Sequence, residues 1–266
     1  MHSFLLSLSS EFYKTRKTLA FFSAILIPLI LCTFFFILFF NPTRMDDYNS
    51  PLGHWLKYSS VILGVNCIFL LPLVIIFQCF SINNIEHRDD MWKSLFSLPI
   101  PRWSTYSAKF FYLLLLNGLY LSLLAIFIII SATILDLLKP EYKFNEFNFS
   151  AILFKLHLKL FLVSTSILSI QFLLSLVWSD FLKPMGIGLL LTVFGVIAAN
   201  LSWEYAFIIP YSHPMITLND FSSNTSYLGV NLSAVDLMSK EIWFSLAVAG
   251  STYIIGYFVI RNRSVK

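Results

Sequence analysis

Six apolar runs, near 19–40, 58–80, 110–135, 156–178, 184–200 and 242–260, constrain this chain more than anything else in it. A helix needs about 20 predominantly apolar residues to cross the hydrocarbon layer of a bilayer. Each run meets or approaches that length, the fifth only just. The runs are unbroken and lack strict alternation, which favours helices over barrel strands, because a helix satisfies its own backbone N–H and C=O groups. The chain is 58% hydrophobic and 12% charged with 28 Phe, more apolar surface than a soluble domain of 266 residues could hide. The expected fold is all-α: one polytopic membrane domain over residues 1–266 with six transmembrane helices. The first run is too long for a cleavable signal peptide, and no small-residue cleavage site follows Phe40.

Lys and Arg set the expected orientation. With both termini cytoplasmic, the inner set is Lys14, Arg16, Lys17, Arg88, Lys93, Arg102, Lys109, Lys183, Arg261, Arg263 and Lys266, eleven of the 18 basic residues. The outer segments carry the other seven together with most of the acids, among them Asp46, Asp47, Asp136, Glu141, Glu146, Asp220, Asp236 and Glu241. The expected location is therefore the plasma or inner membrane, multi-pass. The net charge of +4 is what this bias produces and gives no reason to expect a nucleic-acid partner. Cys32, Cys67 and Cys79 lie in or beside spans and read as small apolar packing residues.

The connectors are unequal. Residues 3–17 place Phe4, Leu5, Leu8 and Phe12 on one face of a helix and Glu11, Lys14 and Lys17 elsewhere, so 1–18 reads as an interfacial helix in contact with membrane lipid or, more plainly, as a basic flank that orients the first span. Residues 41–57 read as a loop, and 136–155 as a polar, aromatic-rich stretch without a core of its own. Pro28 and Pro72 sit inside spans as kinks or hinges. His157, between Lys155 and Lys159, reads as an interfacial polar residue or a proton-sensitive group.

Two connectors stand out. Glu86 to Arg102 reads as a charged, aromatic-bearing amphipathic helix closed by Pro99 and Pro101, with Lys109 just beyond it. Residues 201–241 are too short and polar to cross alone, and read as a re-entrant or interfacial segment. Within it Glu204 is a carboxylate near membrane depth beside Trp203, a candidate for a translocation path or outer gate, although the same trio with Tyr205 also fits an ordinary interface belt.

Several chemistries are absent from the sequence. There is no Gly-x4-Gly-Lys-Ser/Thr loop to cradle phosphates, no His-Glu-x-x-His helix for zinc and no Gly-x-Ser-x-Gly elbow. An intramembrane serine protease needs a Ser and a His buried together, and His157 is the histidine the sequence places near a span. The spans are almost devoid of acids, which argues against a glutamate-based protease and an ion-coupled transporter. No catalytic residue, metal ligand or cofactor is assigned.

The chain resembles the permease subunits of type-2 ABC exporters, particularly the small permeases of lantibiotic and bacitracin immunity systems. The resemblance rests on the basic-ended helix Phe4–Lys17 and on Ile85-Glu-His-Arg-Asp-Asp-Met-Trp-Lys-Ser-Leu-Phe-Ser-Leu-Pro99. It extends to Arg102-Trp-Ser-Thr-Tyr-Ser-Ala-Lys109 and to the six-span plan with a broken segment between the fifth and sixth. It implies a six-helix subunit that pairs with a second permease copy or a related permease and binds separate ABC ATPase subunits, where ATP is hydrolysed. Residues 81–108 would hold the coupling helix, with Trp92, Leu95, Phe96 and Pro99 as apolar contacts and Glu86, Arg88, Asp89, Lys93 and Arg102 as charged ones. An amphipathic helix resting on lipid is the plainer alternative. The cargo implied is amphipathic or hydrophobic: an antimicrobial peptide, lipid or drug. The competing class is an ATPase-independent membrane scaffold or an intramembrane enzyme.

Overall fold

A computed structural model describes residues 2–41, 50–88, 100–201, 203–228 and 235–262. Among the described residues the chain is 88% helix with no strands. The α-helices are α1 (His2–Thr15), α2 (Leu19–Phe39), α3 (Pro51–Val65), α4 (Leu71–Arg88), α5 (Arg102–Leu138), α6 (Ser150–Val177), α7 (Leu182–Asn200), α8 (His213–Leu228) and α9 (Lys240–Arg261). Six helical stretches are long and apolar enough to span a membrane: α2, the continuous Pro51–Glu86 formed by α3 and α4, α5, α6, α7 and α9. They match the six apolar runs one for one, while their ends fall elsewhere.

Local chemistry accounts for the shifts. The second helix begins at Pro51, inside the stretch 41–57 expected as loop. Ser50 caps it by accepting the Gly53 N–H at 3.1 Å, and Pro51 occupies a first-turn position that needs no donor. α5 has 37 residues and is on the order of 55 Å long, well beyond the apolar run that seeds it. Between α3 and α4 lies a π-helical turn, Asn66–Leu70, directly before Pro72. Proline lacks the N–H that would continue the ladder, so the wider turn falls where the regular pattern is interrupted. Asn66 is fully buried there and accepts a hydrogen bond from Tyr120 Oη at 2.5 Å.

α6 is the axis of the bundle, with two thirds of its most apolar window buried. It carries polar side chains into the interior, and these reach its neighbours: Asn117 Nδ2 donates to Ser164 Oγ at 2.8 Å, Asn83 Nδ2 to Ser175 Oγ at 2.9 Å and Gln171 Nε2 to Tyr211 Oη at 2.6 Å. Apolar burial gives little drive between helices already in hydrocarbon, so interhelical hydrogen bonds and close packing take over. α7 supplies the close packing through Gly188, Thr192, Gly195, Ala198 and Ala199, all buried.

The segment after α5 forms short 3₁₀ turns at Pro140–Tyr142 and Phe144–Glu146 around Lys143, whose φ is 53°. Asp136 accepts the Phe144 N–H at 2.8 Å and also binds Asn145. Having no core of its own, the segment uses that of α3. Trp55 Nε1 donates to the Phe144 carbonyl at 2.9 Å, and the Trp55 and Phe149 rings stack at 5.4 Å.

α1 packs its polar stripe inward. Ser7, Glu11 and Thr15, four residues apart, are buried against α5, while Leu5, Leu6, Phe12 and Tyr13 are exposed. Ser7 meets Ser104 at 3.1 Å, Thr15 Oγ1 donates to Tyr112 Oη at 2.5 Å and Phe4 packs edge-on to Phe111.

Candidate functional site

The inward stripe of α1 completes a four-charge cluster at its end of the bundle. Glu86, near the end of α4, and Lys109, two turns into α5, approach to 2.6 Å. Lys109 also contacts Glu11 at 3.0 Å. Lys14 closes the ring, at 3.2 Å from Glu11 and 3.3 Å from Glu86. Charges alternate around it and sum to zero. Glu11, Glu86 and Lys109 are each 1% exposed, whereas Lys14 is partly open to solvent.

Taking three charges out of water is costly, and attraction in a low dielectric offsets the cost only where every charge finds an opposite partner. Here each does. Burial alone would raise the Glu11 carboxyl, but the Lys109 and Lys14 charges and their hydrogen bonds override it and hold it below its ordinary 4.5. A lowered carboxyl stabilises the fold above the unfolded-state value and loses that contribution as pH falls through the folded one. The thermal midpoint of the wild type should therefore exceed that of Glu11→Gln at neutral pH, with the gap closing as pH falls from the ordinary 4.5 through the lower folded value. A gap that stays constant over that range would contradict the assignment.

The cluster grips both stems of the connector. Glu86 stands just before it and Lys109 just after it, and both are tied to α1. Arg102 is held at the other flank, where Nη1 donates to the Arg261 carbonyl at 2.9 Å and so caps the last turn of α9. Tyr106 Oη donates to the Tyr253 carbonyl at 2.7 Å, and Ser107 meets Tyr253 Oη at 2.6 Å. The connector is thus anchored on α1 through one set of contacts and on α9 through another.

The sequence-derived residues fall into three groups. Glu86 and Arg102 are placed, both in contacts within the chain, and Glu86 has no exposed surface to offer a partner. Asp89, Trp92, Lys93, Leu95, Phe96 and Pro99 lie outside the described residues, as does the side chain of Arg88. Glu204 and Trp203 are exposed in the turn after α7, with Trp203 edge-on to Tyr205 at 6.2 Å. Sequence reasoning missed Glu11 and Lys14 as parts of a site. The signal was present: Ser7, Glu11 and Thr15 form a polar line of period four in a helix read for its apolar face.

A second polar junction was also missed. His213, at the start of α8, presents Nδ1 to Ser245 Oγ at 2.6 Å and Nε2 to the Phe207 carbonyl at 2.7 Å. A carbonyl only accepts, so Nε2 carries the proton and Nδ1 is an acceptor that shares the one Ser245 hydroxyl proton with the Val163 carbonyl. Burial holds the His213 imidazole below its ordinary value and hence neutral. Ser245 Oγ is also 2.9 Å from the Val163 carbonyl and 3.2 Å from Ser166 Oγ. A Ser–His pair is the beginning of nucleophilic chemistry. Both residues are fully buried, however, and Ser245 is walled off from any substrate carbonyl. The junction fastens α6, α8 and α9 together.

A family model described as "ABC-2 family transporter protein" matches residues 7–195, which include the whole charged cluster. No curated protein and no solved structure matches the chain.

Proposed function

The chain belongs to the ABC-2 family of transporter membrane proteins, and on that premise we propose that it is the passive, moving subunit of an ATP-driven exporter. A permease component associates with ABC ATPase subunits and spans the membrane several times; the finer reading is that these ATPases engage the connector between Glu86 and Arg102 at the cytoplasmic end. Both termini lie on that side, in keeping with the basic residues of α1 and the end of α9. A second copy or a related permease completes the pathway. The cargo is amphipathic or hydrophobic, such as an antimicrobial peptide, lipid or drug.

One observation carries this reading: the buried ring that joins Glu86 and Lys109 to α1. A connector held only at its two stems could swing alone. With both stems locked to α1 and Arg102 on α9, a displacement at Trp92 moves α1, α4, α5 and α9 together. Trp92, Leu95 and Phe96 supply the apolar contacts to the ATPase, with Asp89 and Lys93 at the rim.

Trp92→Ala should leave membrane insertion intact and reduce ATP-dependent accumulation of a fluorescent amphipathic peptide in inverted vesicles about tenfold or more. Hydrolysis by the co-purified ATPase should continue, no longer stimulated by the peptide. Wild-type peptide transport in this variant would remove the coupling assignment. A purified chain that moved the peptide with no ATPase present would favour the independent scaffold or enzyme.

A further inference from the structure

We propose that the cleft between α5 and α6 is a binding site for a membrane lipid that carries a free, uncharged hydroxyl, recognised by His157. The cleft has a volume of about 270 Å³, and Gly118, Leu121, Ala125, Phe154, His157 and Phe161 line it. It opens sideways between two membrane-spanning helices, where Ile126, Phe154 and Leu158 are exposed. The medium that reaches it is therefore lipid.

His157 sets the chemistry. It is 4% exposed, and its Nδ1 lies 2.8 Å from the Leu153 carbonyl of the preceding turn. Because that carbonyl can only accept, Nδ1 carries the proton of the neutral imidazole and Nε2 presents a bare lone pair. Nε2 lies within the wall of the cleft, without exposed surface and without a hydrogen-bond partner among the described residues, so a ligand reaches it when the neighbouring side chains move apart. Buried polar atoms are ordinarily satisfied, and an orphaned acceptor at a cleft points to a donor supplied from outside the chain.

The donor's character follows from the lining. Ser122 and Ser150 are the other polar residues of the lining and no charged side chain is among them, so no cation faces an anionic headgroup and the neutral lone pair of Nε2 repels a phosphate oxygen. A hydroxyl donates, is neutral and carries little desolvation cost. Depth agrees with this. His157 lies seven residues into α6, roughly 10 Å along the axis from its start, which would put it near the glycerol level of a leaflet whose headgroups lie at that start. Lys155 and Lys159 sit at the same height, and Lys159 pairs with Asp220 at 3.7 Å. The acyl chain would run along the apolar groove past Phe154 and Phe161, with the hydroxyl directed at Nε2.

Native mass spectrometry of the purified permease complex tests the proposal with two probes that differ in a single group, a diacylglycerol and its 3-O-methyl ether. The wild type should retain the diacylglycerol about five- to tenfold more than the ether. His157→Leu should abolish the preference, and His157→Gln, which keeps an acceptor, should preserve it at unchanged thermal midpoint. Equal retention of the two probes by the wild type would overturn the proposal, even if His157→Leu failed to fold. So would efficient disulfide cross-linking between Phe154→Cys residues of two copies, which would assign the cleft to a permease–permease contact.

Discussion

Replacing Lys109 with methionine should destabilise the protein by about 3–5 kcal/mol in a denaturant unfolding titration. The reason is the company Lys109 keeps. It lies 2.6 Å from Glu86 and 3.0 Å from Glu11, and all three are 1% exposed. Removing it leaves two buried carboxylates facing the single remaining charge of Lys14. One carboxylate would then have to stay desolvated and unpaired or take up a proton. The loss should therefore shrink as pH falls, in the same direction as the gap between the wild type and Glu11→Gln. The triple variant Glu11→Gln, Glu86→Gln, Lys109→Met removes the buried charges together, and should recover most of the loss, because neutral replacements of a buried ion network are often tolerated. A single Lys109→Met variant as stable as the triple at neutral pH would mean that the ring contributes nothing as a network.

The second large effect is expected at Gly195. A Cβ there would stand 2.5 Å from the Tyr211 carbonyl carbon, 2.7 Å from Ser212 N and 2.7 Å from the Tyr211 oxygen. These are backbone atoms that cannot rotate aside, so Gly195→Ala must push α7 away from the turn that leads into α8. Overpacking of this kind costs about 1–3 kcal/mol, or more where nothing can yield. The shift would also strain the Gln171–Tyr211 hydrogen bond and the neighbouring His213–Ser245 junction. Gly188, two turns earlier on the same face, is the control. A Cβ there meets Ile76 Cδ1 at 2.7 Å, Ile76 Cγ1 at 2.9 Å and the amide end of Gln171, side-chain atoms that can shift, although at a cost to the Gln171–Tyr211 hydrogen bond. Gly188→Ala should lose less, because side chains can give way where backbone cannot, and the alanine helix preference of roughly 0.8–1.0 kcal/mol is common to both variants. Thermal midpoints of the two variants side by side test the contrast. Equal losses would show that backbone contact at Gly195 is not the deciding factor.

Both effects rest on features that differ in how far the sequence reveals them. The small face of α7 is visible as Gly188, Thr192, Gly195 and Ala199 at helical spacing, yet nothing in that spacing says which glycine meets backbone and which meets a yielding side chain. In the same way, Glu86 and Lys109 are conspicuous in the sequence because they flank the connector. Read in one dimension, Glu86 belongs to an exposed helix that offers charges to a partner. In the fold its partners are within the chain, and what it offers the connector is a fixed anchor.

What the sequence determined by itself is the class of the molecule and the number of its spans. Crossing hydrocarbon imposes a length and composition on each segment separately, so six apolar runs are six spans whatever packs against them. The family resemblance was legible for a related reason: its motif is contiguous, from Ile85 to Lys109. What only the tertiary structure decided is where the charges go. Glu11 and Glu86 are 75 positions apart, and α1 brings them to one lysine by turning its polar stripe inward, the reverse of the orientation a soluble amphipathic helix would take. In the same way His213 and Ser245, or Asn66 and Tyr120, meet across long separations. In a medium as apolar as the side chains themselves, polar groups have no water to satisfy them and must find one another. Which ones do so is a property of the packed helices and not of any one segment.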